Sequence, residues 1–202
     1  MKLRLFGTAV EVSYTLICAA ALCVISGFYK TFVYCAAAVV IHESGHLFAM
    51  RLTGKFPKRI KISLFEINIS DAQRHKRGSL ENAFIIFFGP FANFICFIVC
   101  YLLYLKGNEI SGRFALANLS VGCLNSLPVM TLDGGQLLHI LLCKRTNANK
   151  AEKIVNVLTV VILIPLAAAG FIMLFRSKYN FSLLFVSGYL VLSLIMRNKS
   201  YY

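Results

Sequence analysis

The sequence predicts an all-α polytopic membrane protein with about six transmembrane helices and a small membrane-associated β element in the loop after the second helix. Of its 202 residues, 58% are hydrophobic and only 14% are charged. Soluble domains are typically about 45–50% apolar and about 25% charged. The apolar residues also gather in runs near the roughly 20 residues that a helix needs to cross a bilayer. We expect residues 1–202 to form a single transmembrane domain, because the length leaves no room for a second sizeable one.

Six apolar segments are the candidate membrane spans. They cover residues 10–28, 31–50, 82–105, 114–143, 154–175 and 181–196. Gly89 and Pro90 in the middle of the third are expected to kink it. The fourth is too long for one helix and contains Pro128 and Gly134. We interpret it as a helix, a break at membrane depth and a half-helix, since irregular backbone there is tolerated inside protein or beside a wet cavity.

The distribution of positive charge predicts the orientation of the chain. The N-terminus, loop 51–79, loop 144–153 and the C-terminal tail carry 16 of the 21 Lys and Arg residues. By the positive-inside rule, these segments and both termini should be cytoplasmic. Topology thereby explains the net charge of +13, and we expect no nucleic-acid partner.

The loop at residues 51–79 contains a candidate β element. Residues 60–64 alternate apolar and polar, and residues 65–70 alternate in the opposite phase. The pattern predicts a strand with a bulge or a change of face at Leu64-Phe65. Such an edge strand beside an active site could pair with an extended substrate. A plain surface hairpin is the alternative interpretation.

The second span carries two histidines and a glutamate, at His42, Glu43 and His46. Histidines four residues apart project from one face of a helix, and two neutral imidazoles can share one Zn²⁺. Glu43 lies between them, where a carboxylate can accept a proton from water at the metal. Glu43 is the only charged side chain in residues 31–50, and ionisable groups at membrane depth are usually functional. A pair of core histidines with a snorkelling glutamate is the alternative.

A catalytic zinc site takes three protein ligands and leaves one position open. A third histidine six residues after the second is absent, because position 52 is Leu. Glu66 and His139 are candidates, but Asp133 is preferred as the only other carboxylate in the interior of an apolar span. Asp133 and Gln136 also fit a capping box for the half-helix, and one carboxylate oxygen could cap while the other binds metal.

The H-E-x-x-H motif followed by N-x-x-P-x-x-x-L-D-G resembles the site-2 protease family of intramembrane zinc metalloproteases. The resemblance covers residues 31–143, and the segment from Gly89 to Asn93 is similar to a Gly-Pro…Asn element of that family. It implies one Zn²⁺ per chain, with His42, His46 and Asp133 as its ligands and Glu43 as the general base. It also implies that Asn125 contacts the substrate or the oxyanion, with helix packing as the alternative. Val129, Met130 and Thr131 depart from the family pattern, which usually has a further proline there.

The resemblance implies hydrolysis of peptide bonds in or near transmembrane segments of membrane-anchored proteins, as in regulated intramembrane proteolysis. The six-span layout is similar to the bacterial branch related to the sporulation pro-sigma-factor protease, which implies the bacterial plasma membrane. We expect no PDZ domain and no nucleotide-sensing domain. An intramembrane metal-ion transporter or other metal-binding membrane protein is the alternative, disfavoured because the acidic groups gather near one face. The sequence identifies neither the substrate, the regulatory trigger nor the oligomeric state.

Overall fold

The computed structural model describes residues 2–5, 8–12, 29–54, 59–62, 67–70 and 78–176, together with 188 and 191. The strands are β1 (Lys2–Leu5), β2 (Thr8–Val12), β3 (Arg59–Ile62) and β4 (Ile67–Ser70). The helices are α1 (Tyr29–Leu52), α2 (Ser79–Leu105), α3 (Glu109–Ser126), α4 (Asp133–Cys143) and α5 (Ala148–Arg176). The chain divides into two compact units, Met1–Leu124 and Asn125–Tyr202.

Three of the described helices are long and apolar enough to cross a membrane. They are Tyr29–Leu52, Ser79–Leu105 and Ala148–Ile172, which correspond to the predicted second, third and fifth spans. The helical membrane architecture is therefore confirmed, whereas the total of six spans stays a prediction. Residues 13–28 of the first predicted span, and all but two residues of the sixth, lie outside the described part of the chain.

The predicted fourth span consists of two helices. α3 ends at Ser126, and α4 begins at Asp133. The break follows from Pro128, because the residue before a proline is disfavoured in the α-helical region and helices usually end there or earlier. The prediction of a helix, a break and a half-helix is confirmed in its secondary structure.

The predicted capping box is wrong by one residue. The N-cap of α4 is Leu132, whose backbone is extended at φ −103° and ψ 164°. The Gln136 N–H donates to the Leu132 carbonyl over 3.1 Å, which is the first bond of the helix. Asp133 is therefore the first helical residue, where a carboxylate is favoured by the helix dipole.

The four strands form one sheet in the order β1-β2-β3-β4. β3 and β4 pair antiparallel, with Arg59 opposite Ser70 and Ile62 opposite Ile67. The interpretation of residues 60–70 as one bulged strand is therefore wrong, because two separate strands pair with each other, as in the alternative of a hairpin. β2 pairs antiparallel with β1 and parallel with β3, and it includes residues 10–12 of the first predicted span.

One face of α1 is buried and contains small and polar residues. Its buried residues are Ala38, His42, Gly45, His46, Ala49 and Met50. They recur every three to four positions and so share a helical face. Ala49 and Met50 pack with Ile85 and Phe88 of α2. Small side chains let membrane helices approach closely, and this packing brings the histidine face of α1 against α2.

Candidate metal centre

Two imidazoles from α1 lie side by side in the interior of the first unit. His42 is 4% exposed and His46 is 8% exposed. Their Nε2 atoms are 3.2 Å apart, and their rings are nearly perpendicular, with an interplanar angle of 89°. The i, i+4 spacing on one helix therefore brings the two Nε2 atoms together.

A backbone carbonyl fixes the protonation of His46. Its Nδ1 lies 2.8 Å from the carbonyl oxygen of Ile85. A carbonyl oxygen can only accept, so Nδ1 carries the proton and donates it. The Nε2 atom of neutral His46 consequently presents a lone pair, which is the form that binds metals.

An asparagine side chain fixes which ring nitrogen of His42 carries the proton. The Nδ1 atom of His42 lies 2.8 Å from Oδ1 of Asn93, which is fully buried. The Nδ2 group of Asn93 donates to the carbonyl oxygen of Ala38 over 2.9 Å. Because that carbonyl only accepts, Asn93 must turn its oxygen toward His42, and His42 Nδ1–H donates to it. The Nε2 atom of neutral His42 therefore also presents a lone pair.

The spacing of the two lone pairs fits a tetrahedral metal ion. When both rings are neutral, neither Nε2 carries a proton, and the 3.2 Å between the two atoms separates two lone pairs. Zn–N bonds of about 2.0–2.1 Å at tetrahedral angles hold two ligand nitrogens roughly 3.3–3.4 Å apart. The donor set of His42 and His46 is therefore suited to Zn²⁺, and a cation would also offset the repulsion between the lone pairs.

Gly89 allows α2 to approach both imidazoles. A Cβ atom at this position would overlap Nε2 and Cε1 of His46, and it would lie 2.9 Å from Cε1 of His42. No side chain fits between the helix backbone and the rings. The glycine of the Gly-Pro…Asn element thus leaves room for the imidazoles, and Asn93, one turn later, holds one of them.

In the second unit, the segment before Asp133 is held against α5. The N–H of Met130 donates to Oγ1 of Thr159 over 3.0 Å, and the Thr159 hydroxyl donates to the Val155 carbonyl over 2.8 Å. Met130 lies in the stretch where the resembled family usually has a further proline. Its N–H, which a proline would lack, donates to the buried Thr159. Val129 is fully buried in a cluster with Leu163.

Gly135 brings the start of α4 close to the preceding segment. A Cβ atom there would overlap the carbonyl group of Val129. The second glycine after Asp133 therefore permits a tight turn into the helix. Together with the Thr159 hydrogen bond, this close packing fixes the start of α4 and thereby the backbone position of Asp133.

The remaining candidates have different surroundings. Glu43 and Asn125 are half-buried, on α1 and in the last turn of α3. His139 lies on α4 with its Nε2 atom 3.7 Å from Sγ of Cys143. Glu66 lies outside the described residues.

Sequence reasoning missed two contacts around these candidates. It assigned Asn93 to a family element without a partner, and it gave Thr159 no role. The available signal was the same for both, because each is a polar side chain inside a predicted apolar span. Such groups need partners when they are buried.

Three comparisons relate the chain to known proteins. The model of peptidase family M50 matches residues 108–166. A zinc metalloprotease of Methanocaldococcus jannaschii is 28% identical over 130 residues, which cover 61% of this chain and 37% of that protein. The chain thus spans little more than a third of the length of this relative.

A solved structure shares the fold. The site-2 protease from Methanocaldococcus jannaschii superposes with a TM-score of 0.69, covering 95% of this chain and 92% of that one at 22% identity. The placement of this chain in the bacterial branch related to the sporulation pro-sigma-factor protease stays a prediction. The match to peptidase family M50 over residues 108–166 and the shared fold agree with the predicted resemblance to the site-2 protease family.

Proposed function

We propose that this protein is a zinc metalloendopeptidase that hydrolyses peptide bonds in or near the transmembrane segments of membrane-anchored proteins. The observation that carries the proposal is the pair of Nε2 lone pairs of His42 and His46, 3.2 Å apart. They lie on a helix that is long and apolar enough to cross a membrane. The name of the curated relative, a zinc metalloprotease, supports the same activity.

The proposed ligands of one Zn²⁺ per chain are His42, His46 and Asp133. His42 and His46 present their Nε2 atoms in the first unit, and Asp133 supplies a carboxylate at the start of α4 in the second. Two imidazoles and a carboxylate are a ligand set found in catalytic zinc sites, where a fourth position stays open. When bound there, the ion would polarise a carbonyl group and make water more acidic.

The proposed base is Glu43. Its carboxylate accepts a proton from the attacking water and returns it to the nitrogen of the leaving amine. Asn125 is proposed to donate to a substrate carbonyl oxygen, with helix packing as its other role. The substrate helix must unwind locally, because its own hydrogen bonds shield the scissile carbonyl.

The membrane arrangement is part of the proposal. The protein is an integral membrane protein, and large apolar side chains such as Val40, Ile98 and Ile164 are exposed on the three spanning helices, as lipid contact requires. We propose six spans in one domain, a membrane-associated sheet, and cytoplasmic termini in a bacterial plasma membrane. A cysteine at Gly54 should then react with an impermeant thiol reagent only from the cytoplasmic side.

A metal-ion transporter is not favoured. Such a protein needs a succession of binding sites along its path. Among the described residues, no further group of three or more candidate metal ligands is found beside the proposed one. A single site with a carboxylate beside it, at Glu43, is the arrangement that hydrolysis needs.

The test uses purified protein reconstituted with a panel of tagged single-span membrane proteins. We expect about one zinc per chain by elemental analysis, since one three-ligand site is proposed. Cleavage should stop when a zinc chelator is added and resume when zinc is restored. A His42→Ala/His46→Ala double variant should contain no zinc. Cleavage that continues under the chelator, or zinc that persists in the double variant, would contradict the proposal.

Replacing Gly89 with alanine is expected to weaken zinc binding. The new methyl group would displace the imidazole of His46, and displaced or unsupported ligands typically lose roughly 10–100-fold in metal affinity. Chelator competition measures the change. Gly78→Ala, at the N-cap of the same helix with no atom within 4 Å of the added Cβ, is the matched control and should bind zinc normally. Equal affinity in both variants would show that Gly89 does not set the position of the histidines.

A further inference from the structure

A second buried asparagine continues the hydrogen-bond chain that begins at His42. Asn118 of α3 and Asn93 of α2 are both fully buried. Nδ2 of Asn93 donates to Oδ1 of Asn118 over 3.0 Å. Nδ2 of Asn118 in turn donates to the carbonyl oxygen of Phe114 over 3.0 Å. Asn118 thus connects a backbone carbonyl of α3 to the residue that holds His42.

The direction of every bond in this chain is determined. The Phe114 carbonyl can only accept, so Asn118 turns its NH₂ group toward Phe114 and its oxygen toward Asn93. That oxygen can only accept, so Asn93 presents its own NH₂ group to Asn118. The oxygen of Asn93 then faces His42, whose Nδ1 lies 2.8 Å away and must donate.

Rotating the Asn93 amide by half a turn would reverse the last bond. Its oxygen would then face two acceptors, the Ala38 carbonyl and Oδ1 of Asn118. Its NH₂ group would face His42, and Nδ1 of His42 would have to accept. The ring proton would move to Nε2, and the atom that faces His46 would lose its lone pair. The tautomer of His42 therefore depends on the orientation of the Asn93 amide.

We infer that Asn118 is a positioning residue for the metal centre: together with the Ala38 carbonyl, it holds the Asn93 amide in the orientation that keeps Nε2 of His42 free to bind metal. No hydrogen bond joins Asn118 to either imidazole. Asn118 acts through Asn93, which precedes it by 25 residues in the sequence. The part of the inference that concerns zinc rests on the proposed function, whereas the part that concerns the His42 tautomer does not.

The test compares three variants of the full-length protein. Asn118→Leu has a similar volume and no hydrogen-bonding group. Asn118→Asp can still accept from Asn93, so it is the rescuing variant. Ser120→Ala removes an exposed hydroxyl of the same helix that bonds only the Leu116 carbonyl in the described network, and it is the control.

The first measurement is the ¹⁵N spectrum of the His42 ring in metal-free protein, assigned by its loss in His42→Gln. Wild type, Asn118→Asp and Ser120→Ala should show the Nδ1–H tautomer. Asn118→Leu should show some Nε2–H tautomer beside the Nδ1–H tautomer, because the Asn93 NH₂ group then keeps only one of its two acceptors, the Ala38 carbonyl. A residue that only contributed packing would not change the tautomer of the folded protein, so an unchanged tautomer in Asn118→Leu would overturn the inference.

The second measurement is zinc affinity by chelator competition. Asn118→Leu should bind zinc roughly 10–100-fold more weakly, as is typical when the support of a ligand is removed. In an Asn93→Ala background, Asn118→Leu should cause no further loss, because its effect passes through Asn93. A loss of the same size in both backgrounds would overturn the inference.

Asn118→Ser is a second variant at the same position. If Asn118→Leu is not recovered folded, Asn118→Ser replaces it: a serine hydroxyl bonds its own i−4 carbonyl and is too short to reach Asn93, so the same results are expected. Wild type that binds no zinc would contradict the proposed function, whereas the role of Asn118 would still be decided by the tautomer in Asn118→Leu or Asn118→Ser.

Discussion

Replacing Glu43 with glutamine is expected to reduce peptide cleavage by roughly 10²–10⁴-fold while zinc stays bound. The loss is the usual contribution of general acid–base catalysis, because an amide cannot accept the proton of the attacking water. Glutamine has nearly the same volume as glutamate, so the packing of half-buried Glu43 should change little. His42 and His46 are untouched, and zinc content should remain about one per chain.

The experiment measures zinc content and the initial cleavage rate on the same preparation. Glu81→Gln is the matched control, because Glu81 is a half-buried glutamate in the first turn of α2. It should cleave at the wild-type rate. If Glu43→Gln also cleaved at that rate, Glu43 would not be the base. If it lost zinc as well as activity, Glu43 would be needed to build the site.

The helices of the site could be predicted because their signals are local. α1 and α2 are long apolar segments, and the i, i+4 spacing of His42 and His46 requires nothing beyond helical geometry. The break after Ser126 could be predicted from Pro128. Each of these features is determined by residues within about two turns of one another, which is the range over which sequence patterns are informative.

The support of the site could not be predicted in the same way. His42 and Asn93 are 51 residues apart along the chain, and Asn118 is a further 25 residues away. The sequence shows that these amides are in apolar segments and need partners, but not which partners they find. Helix packing decides that, and it is set here by small residues such as Gly89 that permit a close approach.

The β element shows the same limit. The reversal of alternation within residues 60–70 is produced equally by a bulge and by a turn, and the sequence pattern did not distinguish them. The parallel pairing of β2 with β3 joins residues about 50 positions apart, with Ala9 opposite Arg59. The N-cap at Leu132 was missed because helix ends depend on the backbone of one or two residues, which is the least reliable part of a sequence-based assignment.

The Asp133→Asn variant distinguishes two roles of Asp133, as a metal ligand or only as the first residue of a helix. Asp133 is the first residue of α4, where its negative charge interacts favourably with the helix dipole by about 0.3–1 kcal/mol. If that were its only role, asparagine would cause a small loss of stability and leave zinc and cleavage unchanged. Glu109→Gln provides this comparison directly, because exposed Glu109 is the first residue of α3 and the same charge is removed there.

As a zinc ligand, Asp133 would be replaced by a neutral amide, which lacks the anionic oxygen that the ion prefers. We therefore expect Asp133→Asn to lose more zinc affinity than the roughly 10–100-fold that follows removal of a supporting residue, and to lose cleavage with it. Glu109→Gln should retain both, and the two variants should unfold at similar temperatures once zinc has been removed from both, because bound zinc itself stabilises the native state. Normal zinc content and cleavage in Asp133→Asn would exclude Asp133 as the third ligand. The candidates would then be His139, six residues later on α4, and Glu66 in the loop after α1, and the proposed mechanism would have to be rebuilt around one of them.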